Sequence, residues 1–494
     1  MSAATAPVPR FDRAMSDAEA LMWRLEKDPF LASTFANITI LDRPPDMDRL
    51  VARMERTSLL FPRLRRKVQL MPANVGNPMW VDDPAFDIRY HVRRVALPEP
   101  GSMRQLQDLV TLLIADPFDR SRPLWQFIVV DGLEGGRSAM VLKLHHTITD
   151  GQGGVELSLH YLDMERDPAP LPPLDPEVLM AAADVREPDP GDALRGAMSD
   201  TLRVPIAVLK QVRGILADPS LVAQIGSSTS ATVRNVLAQL QDTDRARSPL
   251  WTERSLRRRL ETARVPYREM RALSKMLGGT LNTVFVTAAA HAAGRYHDMM
   301  GTPVESLRAS MAISTRTDAS QSNAFSLARM LVPTSEMPIA DRFAAVNEIL
   351  LAARTSGSSG AVDAVATIAT VLPTSVITRL ARAQSQTVDF ATSNVRGAGT
   401  PLYVAGSKLL GNYPIGPLAG TAFNMTLLSY MGSLDVGINI DEAAVENPDL
   451  LRESLDDAFA QLVALAPRTE PPATNEPEPG QAPRRWWRKL SRSR

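Results

Sequence analysis

The stretch Ser138-Ala139-Met140-Val141-Leu142-Lys143-Leu144-His145-His146-Thr147-Ile148-Thr149-Asp150-Gly151 is the point from which the rest of the chain is read. From Ser138 to His145, Met140, Leu142 and Leu144 alternate with Ala139, Val141 and Lys143, the pattern of a largely buried strand. Gly151, Gly153 and Gly154 break that pattern, and Val155 to Met164 resumes it with helical spacing. The histidine pair therefore sits where a strand hands over to a helix, a loop position that favours function. Neighbouring residues at a strand end point to opposite faces, so one imidazole of the two is expected to face a cavity. The residues alone do not choose which.

Two adjacent histidines followed by Asp150 and Gly151 are a concentration in a chain with only six histidines. Histidine titrates near neutrality, with an ordinary pKa of about 6.5, so it can take a proton from a hydroxyl and return it. A purely structural account fits the residues equally well: one histidine packs, the other is exposed, and Asp150 caps the following helix. No metal site is expected, because adjacent histidines diverge and no third ligand stands at a recognisable spacing. Gly151-Gln152-Gly153-Gly154 imitates a dinucleotide loop, but Glu156 occupies the sixth position where Gly or Ala is required. Neither a Gly-x-Ser-x-Gly elbow nor a Walker-type phosphate loop is present.

Working outward, Leu124 to Val130 and a Gly132 to Gly136 turn place a second strand beside Ser138 to His145. Near the N-terminus, Ser16-Asp17-Ala18-Glu19 has capping-box spacing, and Phe35 to Leu41 alternates like a strand. Pro44-Pro45 then stops the chain, and Asp46 can cap a helix with Met47, Leu50, Val51 and Met54 on one face. This is α/β order. Prolines 168, 170, 172, 173, 176, 188 and 190 mark a long connection, within which Ile206 to Leu216 forms an amphipathic helix after Pro205. Beyond it, a helix is expected from Pro266 to Leu277 and another after Thr280. Met276 to Gly294, the least charged helical stretch, reads as buried rather than membrane-spanning, since Gly278, Gly279, Asn282 and His291 interrupt it. From Gly397 to Leu434 only Lys408 is ionised, which suits extended segments and close backbone approach.

At 494 residues the chain exceeds one core, and 44% apolar with 22% charged residues is ordinary globular usage. With no cysteine, disulfides, thiolate nucleophiles and Cys-based metal sites are excluded. Lys+Arg 55 balances Asp+Glu 55, so no nucleic-acid partner is expected. The balance hides a basic end: Arg484, Arg485, Arg488, Lys489, Arg492 and Arg494 stand beside Trp486, Trp487 and Leu490, after a Pro- and Glu-rich linker from Arg468 to Pro483. Arg10, Asp12 and Arg13 precede no apolar run, so no signal peptide is expected and the cytoplasm is the expected location.

His145-His146-Thr147-Ile148-Thr149-Asp150-Gly151 resembles the HHxxxDG motif of CoA-dependent acyltransferases. Its neighbours narrow the resemblance to the bacterial wax ester synthase/diacylglycerol acyltransferases. Pro123-Leu124-Trp125 is similar to that family's PLW element and Pro62-Arg63-Leu64-Arg65 to its PRLR-type stretch. Leu402 to Gly406, Tyr413 to Pro417 and Asn424 to Tyr430 are similar to its C-terminal signature. Two departures stand out: the family's Asn-Asp pair appears as Asn282-Thr283, and its Asn-Gly segment is not evident near Ser248 to Glu253.

The resemblance implies an α/β fold of two chloramphenicol acetyltransferase-like domains with the active-site channel between them. The expected division is residues 1–165, a connection over 166–255, a second domain over 256–467, and the linker and tail over 468–494. It implies His146 as general base, His145 and Asp150 as its motif partners with Asp150 anchoring the loop, and Gly151, Pro123, Leu124 and Trp125 as substrate-contacting. Asn282 and the segment Asn424 to Tyr430 are candidates for bracing the channel. No resident cofactor is implied; acyl-CoA is co-substrate, and diacylglycerol or a long-chain alcohol is the acceptor. Arg484 to Arg494 would hold the enzyme peripherally at a membrane or lipid droplet. A non-catalytic lipid-surface protein of the same fold, or an acyltransferase of polar metabolites, are the competing functions.

Overall fold

The computed structural model describes residues 13–71, 77–175, 248–314, 325–355 and 374–467. The expected helix over Ile206 to Leu216, the linker and the basic tail lie outside the described residues. The described strands run, in chain order, β1 (Thr34–Leu41), β2 (Arg66–Gln69), β3 (Met79–Asp82), β4 (Val92–Ala96), β5 (Trp125–Leu133), β6 (Arg137–His145), β7 (Arg258–Pro266), β8 (Ser306–Ser314), β9 (Phe325–Pro333), β10 (Phe390–Val395), β11 (Tyr403–Val404), β12 (Ser407–Ile415), β13 (Phe423–Tyr430) and β14 (Ser433–Asp441).

Local chemistry starts the helices where the sequence places them. Ser16 and Glu19 complete a reciprocal capping box on the helix Asp17–Leu25, and Asp46 accepts from the Arg49 amide at the start of Met47–Leu60. In the second half, Thr280 and Thr283 form another capping box on Leu281–Met299. The stretch Met276 to Gly294 is therefore not one helix. Tyr267–Met276 ends before Gly278, whose φ of 70° is the left-handed turn that lets a new helix start at Leu281. That second helix is buried nearly all round, and its alanines permit close packing: a Cβ on Gly294 would stand 2.1 Å from the Thr334 carbonyl.

Two six-stranded mixed sheets organise the described chain, in the orders β11-β12-β1-β6-β5-β4 and β7-β14-β13-β10-β8-β9. The first places the motif strand β6 at its centre, between β1 (Thr34 opposite His145) and β5 (Trp125 opposite Leu144). Strands β11 and β12 come from the second half of the chain yet belong to the first sheet, with Ile38 opposite Tyr413 and Ala36 opposite Ile415. The two sheets consequently do not divide at one position in the chain.

The crossing strand is fastened to the second sheet by a buried polar seam. The Asn412 amide donates to Asp435 (2.7 Å), and Arg264 donates to both Asp435 oxygens and to the Leu410 carbonyl (2.6 Å). On its other side the Asn412 carboxamide oxygen accepts from Thr39 (3.0 Å) and Asn37 of β1. Burying Asp435 completely is tolerable only because every one of these donors meets it or its neighbours. Tyr430 closes the seam from β13: its hydroxyl accepts from the Leu402 amide (3.1 Å) and donates to the Leu409 carbonyl (3.2 Å).

Candidate active site

Strand β6 ends at His145, and Asp150 caps the helix Gly151–Tyr161, its side chain accepting from the Gly153 amide at 2.7 Å. The expected strand, loop and helix are all present. Between them the loop curls tightly: the Ile148 amide reaches back to the His145 carbonyl (2.9 Å), and a Cβ on Gly153 would meet Thr149 Oγ1 at 1.9 Å.

The two histidines have different environments. His145 is 1% exposed, and both of its ring nitrogens are committed. The Thr147 amide donates to Nδ1 (3.1 Å), which forces the ring proton onto Nε2, and Nε2 donates to the Glu26 carboxylate. Burial lowers His145 to about 3 and pushes Glu26 up to about 7. Both shifts disfavour charge, so the imidazole stays neutral and Glu26 carries whatever charge the pair holds.

His146 points to the other side of the strand end and is half-buried. Its amide donates to the Ser33 carbonyl (3.0 Å), and its ring lies against Phe35 at 4.6 Å between centroids. Burial lowers its pKa to about 4, an effect the Asp150 charge opposes. At neutral pH this imidazole is unprotonated, the form a general base requires.

Arg63 of the Pro62-Arg63-Leu64-Arg65 segment locks the loop from behind. Its guanidinium donates to Glu19 (2.6 Å) and to the Thr147 carbonyl (2.9 Å), all three residues being buried. The capping-box acid of the first helix thus also holds the arginine that holds the motif loop.

Pro123, Leu124 and Trp125, expected to contact substrate, are buried. Trp125 is 0% exposed, donates its indole N–H to the Leu64 carbonyl (2.7 Å) and stacks on His91 at 4.4 Å. The Leu124 carbonyl accepts from the His145 amide (3.1 Å). In this structure the element holds the strand end and Leu64.

Gly151 faces the second sheet, where a Cβ would stand 3.1 Å from Val395 Cγ2 of β10. The preceding residue, Asn394, donates to Asn282 Oδ1 (2.6 Å) at the start of the helix Leu281–Met299. Thr283, where the resemblance calls for Asp, donates to Asn347 (3.0 Å) and shares the capping box with Thr280. Neutral hydrogen bonds thus fasten this helix start. Asn424 holds the chain after the crossing strand, donating to the Pro417 carbonyl (2.7 Å) and accepting from Thr426 (3.0 Å).

Sequence reasoning missed Glu26, Thr147, Phe35 and Val395. Only Thr147 carried a local signal, its place inside the motif. Among the described residues, no group of three or more His, Asp or Glu side chains is arranged to hold a metal ion.

Two mixed sheets, the first completed by strands that cross from the second half of the chain, with a paired-histidine loop capped by Asp150 between them, have the two-domain architecture of the chloramphenicol acetyltransferase-like class. Solved structures agree on the fold. A wax ester synthase/diacylglycerol acyltransferase from Marinobacter aquaeolei VT8 superposes with a TM-score of 0.61 at 21% identity, over 91% of this chain and 98% of that one. The first condensation domain of the calcium-dependent antibiotic synthetase gives 0.55 at 15% identity, over 93% and 98%. Residues 14–285 match the wax ester synthase/diacylglycerol acyltransferase catalytic domain, and residues 321–463 match the C-terminal domain of the same family. A Mycobacterium tuberculosis relative named as a diacylglycerol O-acyltransferase is 31% identical over 497 residues, covering 96% of this chain and 98% of its own. Another from that organism, similarly named, is 26% identical over 89% of this chain and 93% of its own. The chain belongs to the wax ester synthase/diacylglycerol acyltransferase family.

Proposed function

We propose that the protein transfers the acyl group of a long-chain acyl-CoA to the free hydroxyl of diacylglycerol, forming triacylglycerol, with long-chain alcohols as alternative acceptors that yield wax esters. The names of the mycobacterial relatives favour diacylglycerol. The observation that carries the catalytic assignment is the asymmetry of the histidine pair. His145 spends both ring nitrogens on Thr147 and Glu26, whereas His146 lies on the opposite face with its ring against Phe35, and burial holds it unprotonated at neutral pH.

In the proposed reaction His146 takes the proton of the acceptor hydroxyl as its oxygen attacks the thioester carbonyl. The tetrahedral intermediate then collapses with cleavage of the C–S bond. The imidazolium gives its proton to the departing CoA thiolate, leaving ester, free CoA and the neutral base. Because burial makes the imidazolium a stronger acid than usual, the return of the proton is favoured. No acyl-enzyme and no resident cofactor takes part. Asp150 caps the helix and supplies a nearby negative charge to the imidazolium.

Donor and acceptor would approach His146 from opposite sides, between the two sheets. Among the described residues no helix is long and apolar enough to cross a membrane, and the tail from Arg484 to Arg494 would supply the contact with a lipid surface. Purified protein given palmitoyl-CoA and a panel of diacylglycerol, hexadecanol and polar alcohols, with products identified by mass spectrometry, tests the reading. Triacylglycerol as the main product supports it. Turnover only on polar alcohols, or on nothing, contradicts it.

A further inference from the structure

Glu26 is the C-terminal cap of the helix Asp17–Leu25 and reaches the motif loop from 119 residues away in sequence. Its carboxylate accepts from His145 Nε2, from the Thr34 hydroxyl (3.4 Å) and from the Ser33 amide. Ser33 in turn accepts the His146 amide through its carbonyl (3.0 Å). One half-buried carboxylate therefore touches the ring of the first histidine and, through one residue, the backbone of the second.

We propose that Glu26 is a positioning residue for acyl transfer: as a carboxylate it fixes His145 in the Nε2–H tautomer and, through Ser33, fixes the backbone from which His146 acts. This rests on the reading of His146 as the base. The Thr147 amide can bond to Nδ1 only while that nitrogen lacks a proton, and Nε2–H can bond to Glu26 only while the acid accepts. Protonating Glu26 on Oε2, the oxygen that faces His145, sets two donors against each other. The relief is a tautomer change, with the Glu26 hydroxyl donating to Nε2 and Nδ1–H donating to Thr147 Oγ1. The Thr147 amide then loses its acceptor, and the loop next to His146 loosens.

The charged groups around Glu26 are Arg120, from the segment before β5, and Lys143 on β6, both of which favour the carboxylate, while burial opposes them. Lys143 is held by the Asp116 carbonyl (2.6 Å), and Arg120 by the Trp23 carbonyl (3.1 Å). The switch between the two hydrogen-bond patterns therefore falls near neutral pH.

Three proteins test the proposal: wild type, Glu26→Leu and Glu26→Gln, each assayed with palmitoyl-CoA and diacylglycerol and each labelled with 15N-histidine for NMR. Glu26→Leu removes the acceptor and should lower kcat about 100-fold, the cost of roughly 1 Å of misplacement, with KM for the acyl-CoA little changed. Glu26→Gln keeps an acceptor oxygen, so it should retain most activity while lacking the rise in rate through about pH 7 that the proposal expects of wild type. In wild type above that pH, the His145 nitrogen shifts should report a proton on Nε2. Wild-type kcat in Glu26→Leu, or a His145 proton on Nδ1 in wild type above pH 7, overturns the proposal. Should Glu26→Leu not fold, the wild-type tautomer followed from pH 6 to 8 decides: a change near 7 supports the lock, and none contradicts it. A parallel His146→Ala that still turns over would instead remove the base assignment, so the two failures are distinguishable.

Discussion

Gly151 and Val395 touch across the two halves of the chain, close enough that a Cβ on the glycine would stand 3.1 Å from the valine Cγ2. The second sheet is thus packed directly on the residue that follows the Asp150 cap, and any side chain at 151 must displace β10 or the loop. Gly151→Ala requires Val395 to yield by a few tenths of an ångström and should cost a few-fold in kcat. Gly151→Val should cost far more. The double variant Gly151→Ala/Val395→Ala should recover most of the single variant's loss, measured as steady-state rate on acyl-CoA. No recovery would mean that the contact is not what constrains this position.

Asp150 has a cap to lose and a charge to lose, and the two can be separated. Asparagine is as good an N-cap, so Asp150→Asn should melt near the wild-type temperature, whereas Asp150→Ala should lose about 1 kcal/mol. Calorimetry would show the alanine variant melting about 1 °C lower. Because the Asp150 charge raises the His146 pKa, its removal in Asp150→Asn should move the acidic limb of the rate profile to lower pH. An unchanged melting temperature in both variants with activity abolished would instead give Asp150 a direct catalytic part.

Acid should destabilise the fold well before ordinary carboxylates titrate. His91 and His146 are lowered by burial to about 4 and His145 to about 3, so the unfolded chain binds their protons at a higher pH than the folded one does. Their contribution is complete above the unfolded value of about 6.5 and is lost as pH falls from there toward 4. Glu26, raised to about 7, acts in the opposite sense, because the folded state takes up its proton first. His160, His291 and His297 are lowered by burial in the same sense, so stability should drop by at least about 2 kcal/mol per pH unit between 6.5 and 5. Urea unfolding at several pH values measures the slope; a flat profile would refute these buried neutral histidines.

The strand into the motif, the Asp150 cap and the capping box at Ser16 and Glu19 were legible because each is set by residues within a few positions of one another. Strand alternation also showed that His145 and His146 must diverge. It did not show which faced what, because that depends on Glu26 and Phe35, brought in by the first helix and by β1. The crossing of β12 into the first sheet depends on Asn412 and Asp435 meeting partners on both sheets, a long-range match that leaves no periodic trace. Pro123-Leu124-Trp125 shows the same limit: the motif is visible in the sequence, but the Trp125 bond to Leu64 and its stacking on His91 depend on residues far off in the chain.

The basic tail rests on sequence alone, where six cations flank Trp486 and Trp487. Each cation contributes about 1 kcal/mol near an anionic surface, and the tryptophans anchor at the interface. Deleting residues 468–494 should weaken co-sedimentation with phosphatidylglycerol vesicles, while activity on detergent-dispersed diacylglycerol survives. Equal sedimentation of both proteins at low and moderate salt would contradict a lipid-surface role.

The most direct measurement is the rate of palmitoyl transfer to diacylglycerol by His146→Ala beside His145→Ala, with circular dichroism confirming that both are folded. Loss of the base should lower kcat of His146→Ala by roughly 100- to 10,000-fold. His145→Ala, which disturbs only the support of the loop, should retain more activity. A folded His146→Ala at near-normal rate, with His145→Ala inactive, would contradict the assignment of the base.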